Sequence, residues 1–195
     1  MGIQVKPILQ HWNYFLALDN DVAHLARYVE PVAENFSTYS LELARILFAA
    51  ASEVDVLAKL LCKKIDENSK AKSIDKYREE IFAAFPKISG AVVTVPRFGL
   101  TLSPWDPWVE GKTPLWWNAY NNVKHQRHTH FLEANLKHAL NSVAALFILL
   151  LYYYREEGET GLLNPLPGFF QAGYPFASGQ NVFGLGEIIY TYIGD

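Results

Sequence analysis

The chain has 195 residues, half of them hydrophobic and 19% charged, so it is long enough for a domain with a core and too apolar to be disordered. Its formal net charge of −3 excludes a protein that draws phosphate backbones by bulk charge; any nucleic-acid site must be a local patch. The single cysteine, Cys62, excludes an internal disulfide and fits a reducing cytosol, and its place in "KLLCKK" favours a buried thiol over a nucleophile.

The opening "MGIQVKPILQHWNYF" lacks the basic start and long apolar run of a secretory signal. "DNDVAHLARYVEP" predicts a short helix capped by Asp19 or Asn20 and stopped by Pro31. The strongest helix follows. Ser37, Thr38 and Ser40 offer caps, and apolar residues recur at helical spacing from Leu43 through Ile46, Leu47, Val54 and Leu57 to Leu61. From Tyr39 it spans about 25 residues, or roughly 38 Å. "ENSKAK" is a polar connector, and "SIDKYREEIFAAF" is a further helix with Ser73 as cap and Lys76 paired to Glu80.

Between residues 88 and 103 the pattern changes. Val92, Val93, Val95, Leu100 and Leu102 are strand-like, and Pro96 and Gly99 between them predict a short hairpin or extended arm. "TPLWWNAYNNVKHQR" restarts a helix with Thr113 as cap and Pro114 in the first turn. Another helix runs from about Thr129 to Tyr154, either continuous with it or kinked near "RHTH". Its apolar run "VAALFILLLYYY" is shorter than the ~18 residues of a membrane span and reads as a buried core helix. From residue 157 the chain is rich in Gly and Pro, with a final strand-like "EIIYTYI". The expected architecture is mainly α. It is an antiparallel helical bundle over residues 1–156 with a β-like insertion near 88–103, and residues 157–195 form an extension packed on it.

Two groups of residues carry candidate chemistry. Glu42 and Glu53 lie three turns apart on the stripe of Ile46, Ala49, Val56 and Leu60, where a carboxylate must be paired, be protonated or border a cavity. Arg45, Ser52, Asp55 and Lys59 lie on a neighbouring face suited to ion pairs. The second group is "WWNAYNNVKHQRHTH". Asn121 and His125 stand one turn apart, Tyr120 and Lys124 form the adjacent row, and no acid occurs between Glu110 and Glu133. A local basic patch suits an anion such as phosphate. Imidazole can move protons near neutral pH, and metal-free RNA cleavage needs such a group beside a cation. A solvated helix end accounts for the same residues. A zinc site at His125, His128 and His130 does not, because the spacing is wrong and no carboxylate lies near. No metal or cofactor is therefore expected.

"STYSLELARILFAAASEVDVLAKLLC", "VPRFGLTLSPWDPW" and "PLWWNAYNNVKHQR" together are similar to a group of uncharacterised bacterial proteins, over most of residues 14 to 155. At superfamily level the layout resembles HEPN domains. The resemblance implies a helical bundle, commonly dimeric, and the lone cysteine with the signal-poor opening adds the expectation of a cytoplasmic protein. It also implies a metal-independent endoribonuclease of defence or toxin–antitoxin systems, or a protein that only binds nucleotides or partners. The HEPN signature is an arginine, usually followed by a polar residue such as asparagine, and a histidine after four to six positions. Here Asn121 and His125 match its asparagine and histidine, Tyr120 stands in place of the arginine, and Lys124 or Arg127 would supply the cation.

Two functions follow. One is a HEPN-like RNA- or nucleotide-binding protein or endoribonuclease using His125, Asn121, Lys124 and Arg127 in a dimer cleft. The other is a non-catalytic interaction module anchored by Trp105, Trp108, Trp116 and Trp117, with Phe169, Phe170, Tyr174 and Phe176 of the tail wrapping a partner. Core packing is the competing account of each of these aromatics. Neither function requires a membrane.

Overall fold

The computed structural model describes residues 8–180 and 188–193; the first seven residues of "MGIQVKPILQHWNYF" and Glu187 of "EIIYTYI" lie outside them. Among the described residues the chain is mainly helical, with two small antiparallel sheets. The α-helices are α1 (Gln10–Leu25), α2 (Leu41–Ile65), α3 (Ile74–Ala84), α4 (Leu115–His130), α5 (Leu136–Tyr153) and α6 (Arg155–Glu159).

α1 is longer than its capping residues suggest. Asp19 is no cap but a buried mid-helix residue, in line with Trp12, Phe15, Leu18 and Val22 on the buried face. Its carboxylate accepts the backbone N–H groups of Gly168, Phe169 and Phe170 at 2.8–3.2 Å. The hydrogen-bonding capacity that reads as a helix start is spent on a distant loop instead. Burial pushes the Asp19 carboxyl above its ordinary value, and the three N–H groups pull it part of the way back.

α2 begins at Leu41, two residues after the expected start at Tyr39. Ser40 is the N-cap, and its Oγ accepts the Leu43 N–H at 3.1 Å. Its face from Leu43 and Ile46 through Ala50, Val54 and Leu57 to Leu61 is buried. α5 is buried almost all round; by length and composition it could cross a membrane, and 78% of it lies inside the fold. It packs along α2, and the two run in the same direction. Leu136 N–H donates to Thr38 O at their first turns, and Lys64 Nζ donates to Tyr153 O at their last. α1 runs opposite to α2, with Asp21 on Arg45 and His11 on Glu53. α4 also runs opposite, with Tyr120 against Phe48 and Val123 beside Ala44. The parallel pair requires a long return, and the chain between them carries α3, a hairpin and α4.

α3 starts after Ser73, whose side chain makes no capping bond; Lys76 pairs with Glu79 rather than Glu80, and Glu80 accepts from Ser69 Oγ instead. The hairpin pairs β1 (Val93–Val95) with β2 (Leu100–Leu102) around a 3₁₀ turn, and Gly99 closes it at φ 62°, where a side chain is strained. β3 (Gln171–Ala172) adds to the other edge of β1. β4 (Phe176–Gln180) pairs with β5 (Ile188–Tyr192) in the second sheet.

The tryptophans and the tail aromatics turn inward. Trp105, Trp108, Trp116 and Trp117 pack on one another, with Trp105 Nε1 donating to Ala145 O and Trp116 Nε1 to Pro104 O. Phe169, Phe170 and Phe176 are buried in the same core, while Tyr174 is exposed.

Candidate functional site

α4 carries the site, and its sequence divides it into two faces. It starts one residue later than the cap pattern suggests: Pro114 takes the cap position and Leu115 is the first helical residue. Trp116, Trp117, Ala119, Tyr120 and Val123 form the buried face. Helical geometry breaks at Gln126 (φ −139°, ψ 49°), so Arg127 to His130 turn on a new axis before a 3₁₀ turn at Phe131–Glu133. The expected second helix starts not at Thr129 but after Asn135, whose side chain accepts the His138 N–H.

Tyr120 points into the core, its ring against Phe48 and Trp117. The nearest cation to its ring lies one turn further on. Lys124 Nζ donates to Tyr120 Oη at 3.2 Å and lies 5.2 Å from the ring centroid. Asn121 donates to Trp117 O in its own helix. His125 is exposed, and among the described residues nothing holds its ring. Arg127 is exposed, with its guanidinium 4.8 Å over the Phe131 ring, which meets Tyr39 edge-on at 5.7 Å. Of the four sequence-derived residues, Lys124, His125 and Arg127 are exposed near the end of α4, and Asn121 is half-buried one turn before them. Lys124 and Arg127 are each placed by an aromatic ring, Asn121 is occupied, and His125 is unoriented.

The other polar residues brace this end. Glu133 accepts from Asn122 at 2.9 Å and pairs with His130 at 2.6 Å, and its backbone carbonyl accepts from His138 Nδ1. Burial pushes the Glu133 carboxyl up, but the Asn122 and His130 hydrogen bonds outweigh it and hold it below the usual range. Among the described residues no three His, Cys, Asp or Glu side chains converge as a metal site. No ion pair is made by Lys124, His125, Arg127 or His128 among those residues. The surface therefore offers the unpaired charges of Lys124 and Arg127, with one exposed ring, Tyr39, beside the half-buried Phe131, which suits a phosphate-bearing ligand.

Glu53 is paired, one of the three states open to a carboxylate on its apolar stripe. Its Oε1 lies 2.5 Å from His11 Nδ1, with Tyr153 edge-on to the imidazole. His11 carries no signal of this in its own segment, and nothing in the sequence singles it out as the partner. Lys59 pairs with Asp55, which also accepts the Tyr77 hydroxyl. Arg45 joins Glu42 to Asp21, while Ser52 stays exposed outside this ion-pair set. Cys62 is fully buried, and burial pushes its thiol up to about 12, which leaves it inert.

Comparisons with protein-family models, with curated proteins and with solved structures find no match to this chain.

Proposed function

We propose that the chain is a cytoplasmic, HEPN-like helical-bundle protein that binds RNA or a phosphate-bearing nucleotide at the kinked end of α4. One observation carries this reading: Lys124, His125, Arg127 and His128 are exposed together with no acidic partner among the described residues. The ring placement of Lys124 and Arg127 supports it, since each cation is held at the surface by an aromatic face. The exposed Tyr39 beside Phe131 adds a platform on which an unpaired base can stack. Binding is the core of the proposal. Metal-independent cleavage needs His125 to be oriented, and a second copy of the chain in a dimer would have to supply the orienting group.

The test is binding of a fluorescein-labelled single-stranded RNA at low salt, followed by anisotropy. Lys124→Gln and Arg127→Gln should each weaken binding and flatten the salt slope by about 0.7 per lost phosphate contact. RNA left unbound at low salt sinks the proposal. Any cleavage should vanish in His125→Ala while the melting temperature stays unchanged.

A second reading, a non-catalytic interaction module, is favoured by Tyr39, Leu41 and Leu132, large apolar residues exposed around the same helix end. A strictly monomeric protein by light scattering that retrieves no partner in a native pull-down counts against this reading and against the dimer.

A further inference from the structure

The outer face of α2 holds a feature that neither reading uses. Val56, Lys59, Leu60 and Lys63 follow one another at helical spacing along that face. The connector after α2 folds back beside them, and Ser69, Lys70, Ala71 and Lys72 form the opposite wall of a groove of about 690 Å³. The connector is pinned in place. Ser69 Oγ donates to Glu80 at 2.5 Å and accepts the Ala71 N–H, and Asp66 Oδ1 accepts the Asn68 N–H. The groove is thus built before any ligand arrives, and its size falls within the range of about 300–1,000 Å³ usual for small-molecule sites.

Its chemistry is one-sided. Four lysines line it and no carboxylate does. Asp55 answers Lys59, whereas Lys63, Lys70 and Lys72 make no ion pair among the described residues. Ammonium groups on flexible stems act as point charges and suit a ligand whose negative charge is spread over several groups, better than one planar carboxylate. Val56, Leu60 and Ala71 give the groove an apolar floor that a bare polyphosphate would leave unused.

We propose that this groove binds a soluble, multiply charged phosphate ester with an organic body, of the nucleoside triphosphate class. The phosphates lie among Lys63, Lys70 and Lys72, and the body covers Val56 and Leu60. The site is separate from the end of α4 and stands or falls without it.

Calorimetry of the full chain at low salt, with ATP, inorganic tripolyphosphate and adenosine as probes, tests this. ATP should bind at least about tenfold more tightly than either of the others, because only it has both charge and body. The triple variant Lys63→Gln, Lys70→Gln, Lys72→Gln should lose at least about tenfold in ATP affinity with an unchanged melting temperature, since all three side chains are exposed. Val56→Glu, which puts a carboxylate on the floor, should lose as much. Equal binding of ATP and tripolyphosphate, ATP affinity unchanged in both variants, or binding to phosphatidylserine vesicles in place of ATP overturns the proposal.

Discussion

Asp19 joins the two ends of the chain through hydrogen bonds that its own helix does not need. Its carboxylate gathers three backbone N–H groups at Gly168, Phe169 and Phe170. Removing it leaves buried donors without partners, the costly side of hydrogen-bond energetics. Asp19→Ala should destabilise the protein by about 3 kcal/mol, read in urea unfolding, and lower the melting temperature by about 6–12 °C. Asp19→Asn should cost less, because one acceptor oxygen remains. A wild-type midpoint in Asp19→Ala would mean the loop is held by other contacts. His138 gives a pH signature. Burial holds its imidazole below the ordinary value of 6.5, while its Nδ1 donates to Glu133 O. Below about pH 6.5 the unfolded chain takes up a proton that the folded chain refuses, so stability falls as pH drops through the folded value. His138→Gln should flatten that acid limb, which loses at most about 1.4 kcal/mol per pH unit from this group, in melting curves recorded across the range. At this scale the sequence left Glu53 paired, protonated or at a cavity, and could not say that it pairs with His11.

Elements were legible where their signals are local. The Ser40 cap and the apolar face of α2, the hairpin around Gly99 and the pairing segment of β5 all follow from spacing and turn chemistry. Caps misled where a polar side chain had a tertiary use, as at Asp19, or where proline took the cap position, as at Pro114 in place of Thr113. The break at Gln126 has no local breaker such as glycine or proline; it coincides with the change from core-facing Val123 to the Glu133 clamp. Close packing at the small sheet makes its own test. Gly173 N–H donates to Val92 O, Val92 N–H donates to Tyr174 O, and a Cβ built on Gly173 would lie 2.6 Å from Val92 Cγ2. Gly173→Ala should therefore cost about 1–3 kcal/mol by overpacking; in Gly99→Ala, where nothing crowds the new methyl, only backbone strain is expected. Chemical denaturation of the two variants separates the causes, and a Gly173→Ala protein as stable as wild type would show that Val92 simply moves aside.

Across the whole molecule, the region after α5 is part of the core. Leu163, Phe169, Phe170, Phe176 and Tyr190 are buried, and Pro165 O accepts from Trp12 Nε1. Burial of such side chains contributes about 1.5–3 kcal/mol each, and a domain's total stability is about 5–15 kcal/mol. A chain ending at Glu159 should therefore lose its cooperative melt and bind a hydrophobic dye; a sharp thermal transition in that truncation would show that the helices suffice alone. The sequence by itself determined the mainly helical class, the two long helices, the hairpin and the basic stretch in α4, because periodicity, caps and charge runs are properties of neighbouring residues. It did not determine that α2 and α5 run parallel, that the tryptophans and tail aromatics close a core, or that Tyr120 faces inward with Lys124 against its ring. Those were decided by tertiary packing, since direction and burial depend on which apolar faces meet across some 70 intervening residues, and no local pattern encodes that choice.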